Sequence, residues 1–146
     1  MTPNPPISLG EDGIGYYQYR HLKEDEPLLK RYIRENDFSN IVGIYRGGLI
    51  PAVIASTYSN LPLSIVGFQT RAESDKEPYW IHDIRKEGKT LVIDDFYDSG
   101  LTLQTVMDMI PESLGFTLIA TDKDDLDERL SFSRYHPKGS NLYFPW

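Results

Sequence analysis

The sequence predicts an α/β fold, a central parallel sheet flanked by helices, and three observations carry that prediction. Four short apolar segments recur roughly 25 residues apart, each bounded by polar or turn-forming residues. The first and third run straight into stretches with helical spacing of apolar residues, and strand, loop, helix and strand in repetition place parallel strands in one sheet. The chain has 146 residues, 40% of them hydrophobic, enough for one core and one domain.

The elements follow in order. Residues 1–15 contain Pro3, Pro5, Pro6, Gly10, Gly13 and Gly15 with little that can pack, and are read as a flexible N-terminal segment. Order begins near Tyr16, and residues 16–146 form the single domain. Tyr16–Leu22 is expected as an edge strand and Glu24–Asn36 as a helix, with Leu28, Leu29, Tyr32 and Ile33 on one stripe. Ile41–Tyr45 is the first apolar strand. A helix over Ile50–Tyr58 follows, with Pro51 in its first turn, where a missing N–H costs little. Leu63–Phe68 is the second strand and Thr90–Asp94 the third. Leu103, Val106, Met107 and Ile110 then define a helix over Leu101–Ile110, which Pro111 ends. Phe116–Thr121 is the fourth strand, and no internal repeat is found.

Composition narrows the function. A formal charge of −7 supplies no basic face for a nucleic-acid backbone, so no nucleic-acid partner is expected. With no cysteine there is neither a disulfide framework nor a thiolate metal site. No apolar run approaches the roughly 20 residues of a spanning helix, so no membrane span is expected. The start, MTPNPPISLGEDGIG, lacks the basic and apolar parts of a secretion signal, and the chain is read as cytoplasmic. His21, His82 and His136 have no metal-ligand spacing and are read as structural or exposed.

In open parallel sheets ligands sit beyond the carboxyl ends of the strands, which directs attention to the residues after Tyr45 and Ile93. The third strand continues as VIDDFYDSGLT, Val92–Thr102. Adjacent carboxylates at a strand end, Asp94 and Asp95, suit a hard cation or vicinal sugar hydroxyls. A turn with Ser99, Gly100 and Thr102 at a helix start offers backbone N–H groups and hydroxyls to a phosphate. The acidic end then faces a ribose with Mg²⁺, and the helix end its 5′-phosphate. A solvated turn needs no Ser-Gly-x-Thr on a helix start. A signalling receiver domain also ends a strand in two acids, but that pair closes its first strand, and too little chain follows Asp95 to complete one.

VIDDFYDSGLT resembles the phosphoribosyl-diphosphate motif of type I phosphoribosyltransferases, and IVGIYRGGLIPA, Ile41–Ala52, resembles the strand and diphosphate loop of their bacterial xanthine-guanine (6-oxopurine) members. The resemblance extends more weakly over Tyr16–Trp146, ending in a Pro-Trp pair that similar purine enzymes also show. It implies the type I phosphoribosyltransferase fold, with a small hood from the terminal segments. It also implies transfer of the 5-phosphoribosyl group from 5-phosphoribosyl 1-diphosphate to guanine, xanthine or hypoxanthine, with Mg²⁺ as cofactor.

By position, the resemblance places Arg46, Gly47 and Gly48 against the diphosphate, with Arg46 adding charge where it accumulates on departure. Asp94 and Asp95 fall on the acids that hold the ribose hydroxyls and the metal. Ser99, Gly100, Leu101 and Thr102 fall on the 5′-phosphate loop, and Asp98 on the carboxylate nearest the base. Thr70–Glu87, polar, charged and holding Pro78, is the candidate for the loop that closes over the site. Lys123 is the nearest candidate for the lysine that bonds a purine 6-oxygen, displaced by two positions, or else is a solvated lysine among aspartates. The family's stacking aromatic falls near Asn141. Leu142 matches an apolar base contact, and Tyr143 or Phe144 either supplies the ring or packs in the core. The partners implied are therefore the sugar diphosphate and a nucleobase, in a homo-oligomer (dimer or tetramer). The alternatives are a regulatory protein of the same fold that binds the sugar diphosphate, or a transferase for another base.

Overall fold

The structure is a computed structural model that describes residues 2–72, 75–122 and 124–146. In chain order the elements are β1 (Ile14–Tyr16), α1 (Tyr19–Arg34), β2 (Phe38–Ile44), α2 (Leu49–Ser59), β3 (Leu63–Ala72), β4 (Asp75–His82), β5 (Lys89–Tyr97), α3 (Leu101–Met109), β6 (Ser113–Thr121), β7 (Leu130–His136) and β8 (Asn141–Tyr143). One sheet has the order β4-β3-β2-β5-β6-β7, parallel except for β4 at its edge. A second, two-stranded sheet pairs β1 with β8 in parallel. The parallel sheet and flanking helices expected from sequence are present.

The central strands read as apolar runs because both faces are covered. Leu91 and Ile93 pack with Ile41, Ala52, Leu29 and Ile33 on the α1 and α2 side. Val92 packs with Val42, Ile44, Leu103, Val106 and Met107 on the α3 side. Leu91, Val92 and Ile93 are fully buried, and each contributes about 1.5–3 kcal/mol relative to exposure.

Two expectations are corrected. Tyr16–Leu22 is not an edge strand: β1 stops at Tyr16 and the chain is helical from Tyr19. The reason is local, because the His21 ring turns back and its Nδ1 accepts the Gln18 N–H at 2.8 Å, satisfying a donor that a helix start leaves orphaned. Thr70–Glu87 is not an open loop through most of its length. β3 runs on to Ala72 and β4 returns antiparallel to it, with Pro78 opposite Phe68 on the sheet edge, where a residue without an N–H is tolerated.

The stretch before Tyr16, read from its composition as flexible, lies against the body. Ile7 is buried, Asn4 N–H donates to the Ser133 carbonyl at 2.6 Å, and Arg134 Nη1 donates to the Pro5 carbonyl at 2.8 Å. Beneath it Arg134 and Asp25, 2% and 0% exposed, form a buried ion pair at 2.7 Å. Asp25 also accepts from the Tyr17 hydroxyl at 2.6 Å and the Asn4 amide at 2.8 Å. Burial and the Asp25 carboxylate push the Tyr17 hydroxyl far above its ordinary range, so it stays a donor.

His21 yields a pH prediction. Burial, aided by Arg134 nearby, lowers its pKa, and protonation would remove the acceptor that Gln18 uses. The unfolded chain therefore takes up this proton first, and the stability His21 contributes is complete above about pH 6.5 and declines as pH falls below it. The melting temperature is expected to drop between pH 7.5 and 5.5, and the drop to shrink in His21→Asn. An equally steep decline in that variant would rule out the assignment.

Candidate active site

The strand order reverses its direction of travel between β2 and β5: from β2 the chain moves outward to β3, and from β5 outward to β6. A crevice opens at such a switch point, beyond the carboxyl ends of the two strands. β2 and β5 pair in register through Gly43 and Ile93, so the loop Tyr45–Gly48 and the acids Asp94 and Asp95 leave the sheet side by side.

Glycine is required in that loop by close approach. A Cβ on Gly48 would lie 2.7 Å from the Ile44 carbonyl and 2.9 Å from the Asp94 Cα. A Cβ on Gly47 would occupy the space of the Asp95 carboxylate, 2.6 Å from Oδ1. Gly48 then caps α2, and the Leu49 N–H turns back onto the Arg46 carbonyl at 3.2 Å, closing the loop on itself. The Tyr45–Arg46 peptide is cis. Arg46 is exposed, its guanidinium 5.8 Å from the Tyr45 ring centre.

After β5 the chain turns into α3 through Gly100, whose φ of 84° lies in the left-handed region and where a side chain would strike the Tyr97 ring. Ser99 Oγ accepts the Leu101 N–H at 3.3 Å. A cavity of about 220 Å³ opens here, lined by Asp94, Tyr97, Asp98, Ser99, Gly100 and Thr102 among others. A larger one of about 510 Å³ lies near Thr90 and Pro111, at the opposite ends of the strands and away from the motif. Leu101 is exposed at the helix start.

The structure thus brings Gly47 and Gly48 against Asp94 and Asp95, and groups Asp98 to Gly100 and Thr102 around a cavity that Asp94 shares. Arg46 points to solvent beside Tyr45. Leu142 lies in the hood, opposite Gly15 in β8, and packs against the core. Lys123 lies outside the described residues. Tyr143 is exposed and stacks on Tyr16 at 6.0 Å, whereas Phe144 packs on Tyr17 at 5.0 Å in the manner of a core residue.

Two site contacts go beyond the sequence reading. Thr121, at the end of β6, donates its hydroxyl to Asp98 Oδ1 at 2.9 Å; the strand-end rule that leads to Asp94 applies equally to this position. Trp146 donates its indole N–H to Asp95 Oδ2 at 3.3 Å, and the Pro-Trp pair is the signal for it.

Burial pushes the Asp95 carboxyl above its ordinary range, opposed by the Trp146 indole and the Asp94 side chain. A carboxylate so poorly solvated gains from a cation beside it. No group of three or more His, Asp or Glu converges to hold a metal among the described residues. Asp94 and Asp95 supply carboxylate oxygens of the kind a hard cation takes.

Fold and crevice together define an open α/β protein with a crevice at the sheet's switch point. The phosphoribosyl transferase domain model matches residues 20–120, and the chain belongs to that family. A xanthine-guanine phosphoribosyltransferase of Chromohalobacter salexigens is 33% identical over 102 residues, which cover 68% of this chain and 63% of that protein. A purine phosphoribosyltransferase structure from Pyrococcus horikoshii superposes with a TM-score of 0.74 at 23% identity, covering 92% of this chain and 94% of the other. A Helicobacter pylori xanthine-guanine-hypoxanthine phosphoribosyltransferase superposes with a TM-score of 0.72 at 19% identity, covering 91% and 93%. These two structures share the fold. Among the described residues no helix is long and apolar enough to cross a membrane.

Proposed function

We propose that the protein is a purine phosphoribosyltransferase that transfers the 5-phosphoribosyl group of 5-phosphoribosyl 1-diphosphate to a 6-oxopurine, releasing diphosphate. The observation that carries this reading is the contact between the Gly47–Gly48 loop and the Asp94–Asp95 pair, beside the Ser99–Thr102 helix start. It supports a reading in which a diphosphate, vicinal ribose hydroxyls and a phosphate meet around one crevice. The choice of a 6-oxopurine rests on the likeness to the xanthine-guanine relative.

In this mechanism the backbone of Gly47 and Gly48 approaches the diphosphate, and the N–H groups at the start of α3 with the Ser99 and Thr102 hydroxyls hold the 5′-phosphate. Asp94 and Asp95 orient the ribose hydroxyls and would hold Mg²⁺, which would supply neutralisation of charge on the departing diphosphate. A base nitrogen bonds to C1 of the ribose as the C1–oxygen bond to diphosphate breaks. Thr121 engages Asp98 through Oδ1, leaving Oδ2 to take or orient the proton on the base ring. Arg46 swings from the Tyr45 face to the leaving group.

Incubation with the sugar diphosphate, Mg²⁺ and a panel of guanine, xanthine, hypoxanthine, adenine, uracil and orotate is the test. Diphosphate release is expected with a 6-oxopurine. Release with another base instead would reject the base assignment, and tight sugar-diphosphate binding without release from any base would favour a regulatory protein. In Asp98→Asn, kcat is expected to fall on the order of 100-fold with the sugar-diphosphate affinity within about twofold, since its partner is the base. Equal losses in both would refute that role.

A further inference from the structure

We infer that Trp146 is a positioning residue of the site: its indole N–H and ring fix the Asp95 carboxylate against the diphosphate loop, coupling the hood to the crevice. The inference rests on the reading of the crevice as the sugar-diphosphate site, and the geometry that supports it is independent of that reading.

Asp95 is confined on two sides. On one it fills the space that a Gly47 side chain would need, so its carboxylate lies on the loop backbone. On the other, Trp146 Nε1 donates to Oδ2. The indole is itself clamped by Phe144 at 5.3 Å, Tyr17 at 5.7 Å and Tyr19 at 6.1 Å between ring centres. Tyr17 is in turn pinned by its hydroxyl to Asp25, the partner of Arg134.

A surface indole would not be an effective anchor, because a mobile donor loses in entropy what it gains in bonding. Here rings hold the donor before it bonds. The carboxylate it meets is half-buried and short of solvent, where a charge-assisted hydrogen bond counts for more than in water. An aspartate free to rotate would lift off Gly47 and no longer present the same oxygens to the ribose or to a cation. Trp146 therefore acts through Asp95 and not on the substrate.

Trp146→Phe keeps an aromatic ring in the clamp and removes only the N–H. In this variant the KM for the sugar diphosphate is expected to rise roughly tenfold, the size of one lost hydrogen bond to a charged group. The KM for the base and the melting temperature should stay near wild type. An unchanged KM for the sugar diphosphate would overturn the inference, as would equal rises in both. Crystal structures of the two unliganded proteins test the contact without reference to the reaction. Asp95 should lie against Gly47 in the wild type and leave that position in Trp146→Phe, and an unmoved Asp95 overturns the inference even if catalysis is confirmed. Should wild type bind no sugar diphosphate, the proposed function fails and the structural comparison still decides the role of Trp146. If Trp146→Phe does not fold, fluorescence supplies the second route. In a Trp80→Phe background Trp146 is the sole indole, and Asp95→Ala should alter its emission; an identical spectrum counts against the contact.

Discussion

Asp94→Asn combined with Asp95→Asn is expected to abolish calorimetrically detectable binding of 5-phosphoribosyl 1-diphosphate with Mg²⁺ and to leave the fold intact. Both changes preserve shape and remove charge. Truncating the charged partner in a desolvated pair costs on the order of 2–5 kcal/mol, so loss of both carboxylates weakens binding by well over a hundredfold. Stability should move the other way. Burial already holds the Asp95 carboxyl above its ordinary range, so the folded state accommodates its ionised form less easily than the unfolded chain does. A neutral amide relieves that penalty, and the melting temperature should be unchanged or raised. Retained affinity would sink the site assignment, and a variant that fails to fold would sink the account of the burial.

The second large effect belongs to the buried pair. Asp25→Ala leaves the Arg134 guanidinium, 2% exposed, without its carboxylate, and removes the acceptor of Tyr17 and Asn4 as well. Glu24, at 3.1 Å, gives only partial replacement because it is largely exposed. Breaking one side of such a pair costs about 3–5 kcal/mol, expected as a fall of roughly 10 °C or more in melting temperature. The control is a double change, Asp25→Leu with Arg134→Met, which removes both charges and should recover most of the loss. A melting temperature within about 2 °C of wild type for Asp25→Ala would show that the pair is not a stabilising unit.

The parts legible in the sequence share one property: their side-chain pattern is decided by burial. Ile41–Tyr45, Leu63–Phe68, Thr90–Asp94 and Phe116–Thr121 all coincide with strands of the central sheet, Tyr45 lying one residue past the end of β2, because a strand covered on both faces has to be apolar throughout. The helices after Tyr45 and Asp98 are legible for the same reason. What escapes are elements decided by contacts from elsewhere in the chain. β4 and β7 lie at the sheet edges; β4 carries charge and Pro78, which read as loop when pairing is not visible. Tyr16, Tyr17 and Tyr19 sit among polar residues as a strand's side chains do, yet the helix starts at Tyr19 and continues through Pro27, a residue that by itself marks a first turn.

The site shows the same division. Gly47, Gly48, Asp94, Asp95 and the Ser99–Thr102 turn are legible as candidates because a strand end, an acidic pair and a glycine turn are local features. Thr121 and Trp146 are not, because their relevance depends on which strand ends and which ring are neighbours in space. Leu142 is placed by position in a motif, and it sits in the packed hood.

The pairing of the terminal segments bears on the order in which the molecule is made. The ion pair that anchors the hood joins residues 109 positions apart, and β1 meets β8 over a still longer separation, whereas β5 and α3 are neighbours along the chain. Loop closure of that length is slow relative to local pairing. The strand ends bearing Asp94 and Asp95 are therefore expected to assemble before the terminal segments pair as the hood. Competence to bind would then lag behind formation of the sheet.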